Sequence, residues 1–250
     1  MPKRILEKNI RSFDNDANKF GGYVYTSSDK LSSVVSNRHI SDIILNLAHS
    51  KQKRIIDVGC GDGTYTMEIY HRGKPKFIYG FDPSKKAIAS AKKISKDKKN
   101  IRFSVENIYE FEPIEKYDIA IVRGVLHHLY YPKQALSQIS KLAKKIVVAE
   151  PNGYNPLLKI IEKVSPYHRQ HEEKSFPPFI LDRWIEESGG KIKDKKLAGL
   201  VPFFCPDWLA TFLKFIEPVV ERLPVLNALL CASYYVIYET KSASAKVKNR

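Results

Sequence analysis

The chain has 250 residues, a length that fits one large domain or two small ones, and 43% of them are hydrophobic, enough for a sizeable core. The charged fraction of 28%, with 12 glycines and 14 prolines, excludes collagen-like, coiled-coil and disordered chains. The three cysteines are scattered and no apolar stretch reaches signal-peptide or membrane-spanning length, so we predict a cytoplasmic protein with reduced thiols.

The net charge of +15 draws attention to nucleic acid, anionic membranes and acidic substrates as partners. Lysines are concentrated between His71 and Asn100 and in the tail 241–250, which we expect to be disordered. Basic residues are not interleaved with aromatic ones as single-stranded nucleic acid requires. We therefore interpret the lysine cluster as a solvated helix face and do not expect a nucleic-acid partner. Peripheral membrane contact and the oligomeric state stay open.

Apolar residues at a spacing near 3.6 predict a first helix between Ser27 and Ser50. Short β-branched runs then alternate with helical stretches as far as Glu150. This alternation predicts a parallel sheet covered on both faces, with ligands at the carboxyl ends of its strands. The predicted strands are 54–59, 76–82, 101–105, 117–122 and 145–150, and the predicted helices are 63–71, one that begins at Ser84, and 134–143.

Beyond Pro151 the pattern changes to a polar loop at 152–178, a helix at 180–187, and strands at 191–200 and 232–239. Between these strands the segment 207–222 predicts an amphipathic helix, with Trp208, Phe212 and Phe215 on its apolar face and Glu217 opposite. The fold class is thus α/β: a doubly wound, mostly parallel seven-stranded sheet with an antiparallel last strand and a helical insertion before it.

A glycine-rich turn between the first strand and the first helix of the alternating part is the most informative motif. Gly59, Gly61 and Gly63 lack a Cβ, so they can adopt positive φ and let backbone N–H groups approach a ligand. Asp82 ends the next strand, where a carboxylate can accept hydrogen bonds from ribose hydroxyls. Thr64 stands where the dinucleotide fingerprint needs a third glycine, which argues against NAD. A different nucleotide-like cofactor is predicted.

Asp57, the three glycines and Asp82 together resemble the class I S-adenosylmethionine-dependent methyltransferases, whose first motif is an acidic residue followed by G-x-G-x-G. The arm at 13–20 is similar to that of the ubiquinone/menaquinone-type methyltransferases, where it helps to cover the cofactor. The resemblance implies a Rossmann-like fold and S-adenosylmethionine as the cofactor. The cofactor-binding residues that it implies are Asp57, Gly59, Gly61, Gly63, Asp82, Asn107 and Arg123.

The acceptor side is predicted from the segments that follow strands four and five. Val125–Leu129 reads V-L-H-H-L, as in the family, and His127 either lines the methyl-transfer site or packs structurally. In the loop at 165–176, the side chains that could bind a metal or supply a general base are His168, His171, Glu172 and Glu173. His171 is the second candidate to act on the acceptor, and the alternative is a solvated loop. We expect no metal site, because adjacent histidines should point apart. The stretch from Glu150 to Pro156 resembles a Glu-Pro-Asn segment of the family, and its prolines and Asn-Gly pair can simply form a turn.

We interpret the chain as a single methyltransferase domain at 1–240 followed by the tail. It comprises a cofactor-covering arm and helix at 1–50, a cofactor-binding core at 51–151, an acceptor-side loop at 152–178 and a helical lid at 201–230. The helix at 207–222 is a lid, a membrane contact or plain core packing.

The predicted function is methyl transfer from S-adenosylmethionine to a small-molecule or lipid-like acceptor. An RNA-modifying methyltransferase is the alternative. Strand four argues against it, because it ends in Arg123-Gly124 and not in the Asn/Asp-Pro-Pro-aromatic motif of many base-amine methylases. An NAD-dependent oxidoreductase and a non-catalytic binding protein are further hypotheses from other classes.

Overall fold

The computed structural model describes residues 29–113, 115–170 and 173–240. The cofactor-covering arm, His171 and the basic tail therefore lie outside the described residues. The strands are β1 (Arg54–Val58), β2 (Phe77–Asp82), β3 (Ile101–Val105), β4 (Tyr117–Arg123), β5 (Ala143–Pro151), β6 (Gly190–Ala198) and β7 (Ser233–Thr240). The helices are α1 (Leu31–Ala48), α2 (Thr64–Gly73), α3 (Lys85–Ile94), α4 (Pro132–Ile139), α5 (Pro156–Val164), α6 (Pro166–Gln170), α7 (Pro178–Glu187), α8 (Asp207–Val220) and α9 (Pro224–Leu230), with a 3-10 turn at Leu126–His128.

The strands form one seven-stranded sheet in the order β3-β2-β1-β4-β5-β7-β6. The pairs from β3 to β5 are parallel, and β7 runs antiparallel to both of its neighbours. Asp57 in β1 is in register with Gly80 in β2 and Ile121 in β4. The carboxyl ends of these strands therefore meet at one edge, and the predicted doubly wound fold is confirmed.

The hydrophobic core lies on both faces of the sheet, because neighbouring strand residues point to opposite sides. Ile55 belongs to a cluster that includes residues of α1, α2 and α3, and Ile56 belongs to one that includes residues of α4 and α7. Both isoleucines are fully buried. Burying both faces explains why the parallel strands are continuously apolar.

The segment at 152–178 is not the continuous loop that we predicted, since it contains α5 and α6. Asn155 caps α5: its Oδ1 accepts hydrogen bonds from the backbone N–H groups of Leu157, at 2.9 Å, and Leu158, at 3.3 Å. Pro156 occupies the first helical position, where a missing N–H costs nothing. The Asn-Pro pair thus begins a helix, a start pattern that the sequence contains and that we interpreted as a turn.

The insertion between β6 and β7 consists of α8 and α9, and it leaves the sheet at the edge where β5 ends, since Ala198 and Pro151 both pair with Ser233. Among the described helices, none has the length and apolar content needed to cross a bilayer.

Of the three alternatives for α8, plain core packing of its aromatic face does not agree with the exposure of its side chains. Glu217 is 2% exposed, whereas Trp208 is 72% and Phe215 83% exposed. The helix buries Glu217 because the carboxylate accepts a 2.9 Å hydrogen bond from the backbone N–H of Leu200 and forms ion pairs with Lys214 and His39. The aromatic face is left at the surface.

Candidate active site

The glycine turn has the conformation that the sequence predicts. Gly59, Gly61 and Gly63 have φ of 68°, 55° and 82°. The backbone N–H groups of Gly59 and Cys60 both donate to the Phe81 carbonyl, at 2.9 and 3.0 Å, which fixes the turn to the end of β2. A Cβ on Gly59 would lie 2.6 Å from Cγ2 of Val125, so the glycine also lets the segment after β4 approach the turn.

Asp82 lies at this edge with its carboxylate partly exposed. Its Oδ2 accepts a hydrogen bond from Gly61 N at 3.1 Å, and its Oδ1 accepts one from Ser84 N at 2.9 Å. A carboxylate offers about four acceptor positions, so this anchored group has the chemistry to receive ribose hydroxyls as well. The positive-φ turn and the fixed carboxylate thus fit the adenosyl part of S-adenosylmethionine.

Asp57 is buried beneath the turn and supports it from below. Thr66 in α2 donates its hydroxyl to Asp57 Oδ2 at 2.5 Å, which ties the start of the helix to β1. Burial raises the pKa of Asp57 to about 6, although the Thr66 hydrogen bond and the charge of Arg123 oppose the shift. The buried Asp57 carboxyl therefore holds the turn in place through Thr66, without being exposed at the surface.

Arg123 joins the sheet to two helices. It donates from Nη1 to Ser41 Oγ at 2.8 Å and from Nη2 to Asn37 Oδ1 at 3.0 Å, both in α1. Its guanidinium carbon lies 3.5 Å from the ring centroid of Tyr65 in α2, a cation–π contact. Burial lowers the pKa of Arg123. The sequence identified this residue as a candidate, but its contacts with α1 could not be predicted.

Asn107 follows β3, as predicted, and its Oδ1 accepts a 3.1 Å hydrogen bond from the backbone N–H of Tyr109. The amide oxygen of Asn107 therefore already has a backbone partner in this turn. A contact with a ligand at this edge would come from the amide N–H₂ group, which is a hydrogen-bond donor.

Glu150 is the residue of the acceptor side that sequence reasoning missed. Its side chain is buried and accepts hydrogen bonds from three consecutive backbone N–H groups, those of Val125 and Leu126 at 2.8 Å and that of His127 at 3.1 Å. His127 Nδ1 lies 2.8 Å from Glu150 Oε2. The Glu-Pro-Asn motif was the available clue, but only the fold brings it to the 3-10 turn.

The contact with Glu150 determines which ring nitrogen of His127 carries a hydrogen. A carboxylate that collects three N–H groups is an acceptor, so Nδ1 donates and Nε2 is left as the second ring position. Burial lowers the pKa of His127, but the Glu150 charge and hydrogen bond outweigh it, with Glu173 and Glu162 adding to them, and the net shift is upward. The ring is therefore oriented by a buried anion.

The expectation that the adjacent histidines point apart is wrong. The ring centroids of His127 and His128 lie 3.8 Å apart. The expectation assumed a regular helix, whereas the 3-10 turn ends at His128 and Leu129 is already extended, so the two rings come together. The nearby carboxylate of Glu173 lies 3.3 Å from Nε2 of His168.

Comparison with known proteins assigns the family. A family model described as a methyltransferase domain matches residues 49–195. The chain therefore belongs to the methyltransferase-domain family, the class I S-adenosylmethionine-dependent methyltransferases. The predicted family, enzyme class and cofactor are confirmed.

Among proteins of similar sequence, a tRNA U34 carboxymethyltransferase of Helicobacter pylori is 35% identical over 104 residues, 39% of each chain. A mitochondrial ubiquinone biosynthesis O-methyltransferase of Dictyostelium discoideum is 26% identical over 178 residues, 62% of this chain and 54% of the relative. The chain thus spans between two fifths and just over half of the length of these relatives.

A solved structure, the N-methyltransferase NodS of Bradyrhizobium japonicum in complex with S-adenosyl-L-homocysteine, has the same fold. Its TM-score is 0.63 at 13% identity, and the match covers 94% of this chain and all of NodS.

These relatives correct one expectation. We did not expect a nucleic-acid partner, because basic and aromatic residues are not interleaved along the chain. Several of the matched relatives carry the name tRNA U34 carboxymethyltransferase, which overturns that expectation. A stripe of basic and aromatic residues is characteristic of single-stranded binding grooves, and its absence does not exclude an enzyme that acts on a folded RNA.

Proposed function

We propose that the chain transfers a methyl group from S-adenosylmethionine to an acceptor held at the carboxyl ends of β4 and β5. The observation that carries the proposal is the contact between the two halves of the site. Gly59 of the cofactor turn packs against Val125, which begins the segment that Glu150 fixes around His127. The cofactor turn and the oriented histidine therefore lie next to each other.

When bound, the cofactor supplies an electrophilic sulfonium methyl group, which an acceptor attacks in line. The residues of the chain bind and orient the reactants: Asp82 and the glycine turn hold the adenosyl part, and α1, which Arg123 contacts, packs on one face of the sheet. Such positioning, together with exclusion of water, accounts for much of the rate in displacement reactions.

His127 and His171 are our proposed acceptor-side residues. An oxygen acceptor loses a proton as it attacks, and His127 Nε2 is suited to take it because Glu150 stabilises the resulting imidazolium. An amine acceptor can attack first and lose its proton later, in which case His127 orients the acceptor.

We propose an acceptor with an extended apolar part. Large apolar side chains are exposed on α5, α8 and α9, and α9 packs against the other two helices. Exposed apolar surface of this extent marks an interaction site in soluble proteins. The exposed residues are Leu157, Ile160 and Val164 of α5, Trp208, Phe212, Phe215 and Val219 of α8, and Val225, Leu226, Leu229 and Leu230 of α9.

An RNA nucleoside is the second candidate acceptor, favoured by the names of the tRNA-modifying relatives and by the net charge of +15. Phosphate contacts by lysine and arginine would dominate the affinity for such a substrate, so its binding would weaken steeply with salt.

The decisive experiment incubates the full chain with methyl-labelled S-adenosylmethionine and either a prenylated phenol or total tRNA. We expect the label in the organic phase and a shift in Trp208 fluorescence when the prenylated phenol is added. Label that is sensitive to ribonuclease would instead establish the second candidate. Asp82→Ala should lower the yield of either product at subsaturating S-adenosylmethionine, and Phe215→Ser should raise KM for the apolar acceptor without changing cofactor affinity. Absence of labelled product with both acceptors, while S-adenosylmethionine binds, would contradict both assignments.

A further inference from the structure

Three side chains from two segments of the chain converge beside the 3-10 turn. One ligand-type atom from each of His127, His128 and Glu173 lies within 4.8 Å of the other two. The two histidines follow β4, whereas Glu173 follows α6, so the fold brings them together. His127 is buried, and His128 and Glu173 are partly buried, which limits the contact of the group with bulk water.

We propose that His127, His128 and Glu173 form a binding site for a divalent transition metal, with zinc as the best match. Two imidazoles and one carboxylate are a common set of protein ligands for zinc sites that leave a fourth position open. Imidazole also suits copper, nickel and iron, whereas magnesium prefers a shell of oxygen atoms.

The surroundings of His127 have the features of a prepared metal ligand. Metal-bound histidines usually donate their other ring N–H to a carboxylate, which fixes the tautomer and increases the basicity of the ligating nitrogen. Glu150 accepts from His127 Nδ1 at 2.8 Å, and its own position is fixed by three backbone N–H groups. Nε2 of His127 is therefore the nitrogen available to a metal, and because one lone pair cannot serve both, a bound metal and the proposed role of His127 as a base are alternative uses of this nitrogen.

The Glu173 side of the site is held as well. The backbone N–H of Lys174 donates to the His127 carbonyl at 3.2 Å, and that of Glu173 donates to the His168 carbonyl at 3.1 Å. The His168 ring lies between Ser165 Oγ, 3.0 Å from its Nδ1, and Glu173 Oε2, 3.3 Å from its Nε2. Ligand atoms around a tetrahedral zinc ion are about 3.3 Å apart, given Zn–N bonds of about 2.0 Å. Small side-chain rotations would bring the three ligands to that spacing.

A second group of the same kind helps to define the proposal. His39, Glu217 and Glu221 also bring ligand atoms within 4.8 Å of one another. There, however, Lys196 pairs with Glu221 at 2.8 Å and Lys214 pairs with Glu217, so ammonium groups already balance the carboxylates. We assign the metal to the His127 site and not to this one.

The test measures metal binding by the full chain without cofactor or acceptor, so its outcome is independent of the methyl-transfer assay. Zinc titrated into the metal-stripped protein should bind with one-to-one stoichiometry by calorimetry, and cobalt(II) should give the visible absorption of a tetrahedral site. Magnesium should give no heat of binding at the same concentrations. Glu173→Gln and His128→Ala should each weaken zinc binding at least about 10-fold.

Two controls make the result specific. His71→Ala removes an exposed histidine of α2 and should leave zinc affinity unchanged. Glu150→Gln, in a variant shown to be folded by circular dichroism, should weaken binding about 10- to 100-fold, as expected for loss of the carboxylate partner of a ligand. The proposal is overturned if the wild-type protein binds no zinc, or if Glu173→Gln and His128→Ala bind it as tightly as wild type. Loss of binding on His39→Ala alone would assign the metal to the other group and contradict the proposal.

Discussion

The two halves of the candidate site are built in different ways. At the cofactor half, backbone amides of the glycine turn surround the partly exposed Asp82, and all these residues lie within one β-α-β unit. At the acceptor half, one buried carboxylate, Glu150, collects three backbone N–H groups and a histidine from a segment more than 20 residues earlier. The cofactor half thus depends on local backbone geometry, and the acceptor half on a buried charge that the fold must bring into place.

The largest predicted effect tests that dependence at the acceptor half. Glu150→Ala should lower the free energy of unfolding by about 3–5 kcal/mol, because three buried N–H groups and the His127 ring lose their acceptor. Chemical denaturation of the variant and of Glu110→Ala, a control at an exposed glutamate, measures the difference. A loss below about 1 kcal/mol would show that water or another group replaces the carboxylate.

Asp57 provides a pH-dependent contrast within the cofactor half. Its pKa of about 6 is above the ordinary value of 3.8, so the native state binds this proton more tightly than the unfolded state. Its contribution to stability is complete below about pH 4 and is lost as the pH rises through 6. As the pH rises from 4 to 7, the free energy of unfolding of Asp57→Asn should therefore increase relative to that of wild type by on the order of 2–3 kcal/mol. Denaturation curves recorded at each pH measure this change.

Glu221 should have the opposite pH dependence. The hydrogen bonds from His39, Lys196 and Gly199 lower its pKa to about 2, although burial opposes the shift. Its contribution is present above pH 4.5 and is lost as the pH falls toward 2. The free energies of unfolding of Glu221→Gln and wild type should thus become more similar as the pH falls. A constant difference between them from pH 2 to 7 would contradict the lowered pKa.

The cofactor half should respond to Asp82→Ala mainly in binding. We expect S-adenosylmethionine affinity to fall by about 1–3 kcal/mol, since ribose hydroxyls lose a charged acceptor. Isothermal calorimetry measures the change, with the exposed Asp97→Ala as the matched control. Unchanged affinity in a folded Asp82→Ala protein would remove the residue from the site and with it the assigned position of the cofactor.

The conformation of the glycine turn and the position of Asp82 could be predicted from the sequence because their determinants are local. A positive-φ glycine turn and an acid about 20 residues later follow from the backbone requirements of one β-α-β unit. The tertiary contacts were not predictable in this way. Nothing near Glu150 in the sequence indicates that its carboxylate caps the turn at 126–128, and nothing near Arg123 indicates Asn37 and Ser41 as its partners.

The faces of α8 show why helical periodicity alone could not say which face of this helix is buried. An amphipathic pattern identifies two faces, and the usual assumption is that the apolar face is buried. Here Glu217 is buried because Lys214, His39 and the Leu200 N–H are within reach of its carboxylate and compensate its charge. Lys214 belongs to the helix itself, but His39 and Leu200 come from other segments, so the helix sequence alone does not show that the glutamate faces inward.

The smallest predicted effect on stability concerns that outward apolar face. Phe215 is 83% exposed, so Phe215→Ser should change the free energy of unfolding by less than about 0.5 kcal/mol. Val220→Ala, on the buried side of the same helix, should cost more, about 1–2 kcal/mol. Thermal and chemical unfolding of the two variants measure the contrast. If Phe215→Ser proved as destabilising as Val220→Ala, the aromatic face would pack within the protein, and the apolar surface offered to an acceptor would be smaller than the structure indicates. If only Val220→Ala destabilises, the aromatic side chains of α8 contribute little to folding, and the whole exposed face is free to contact the proposed acceptor.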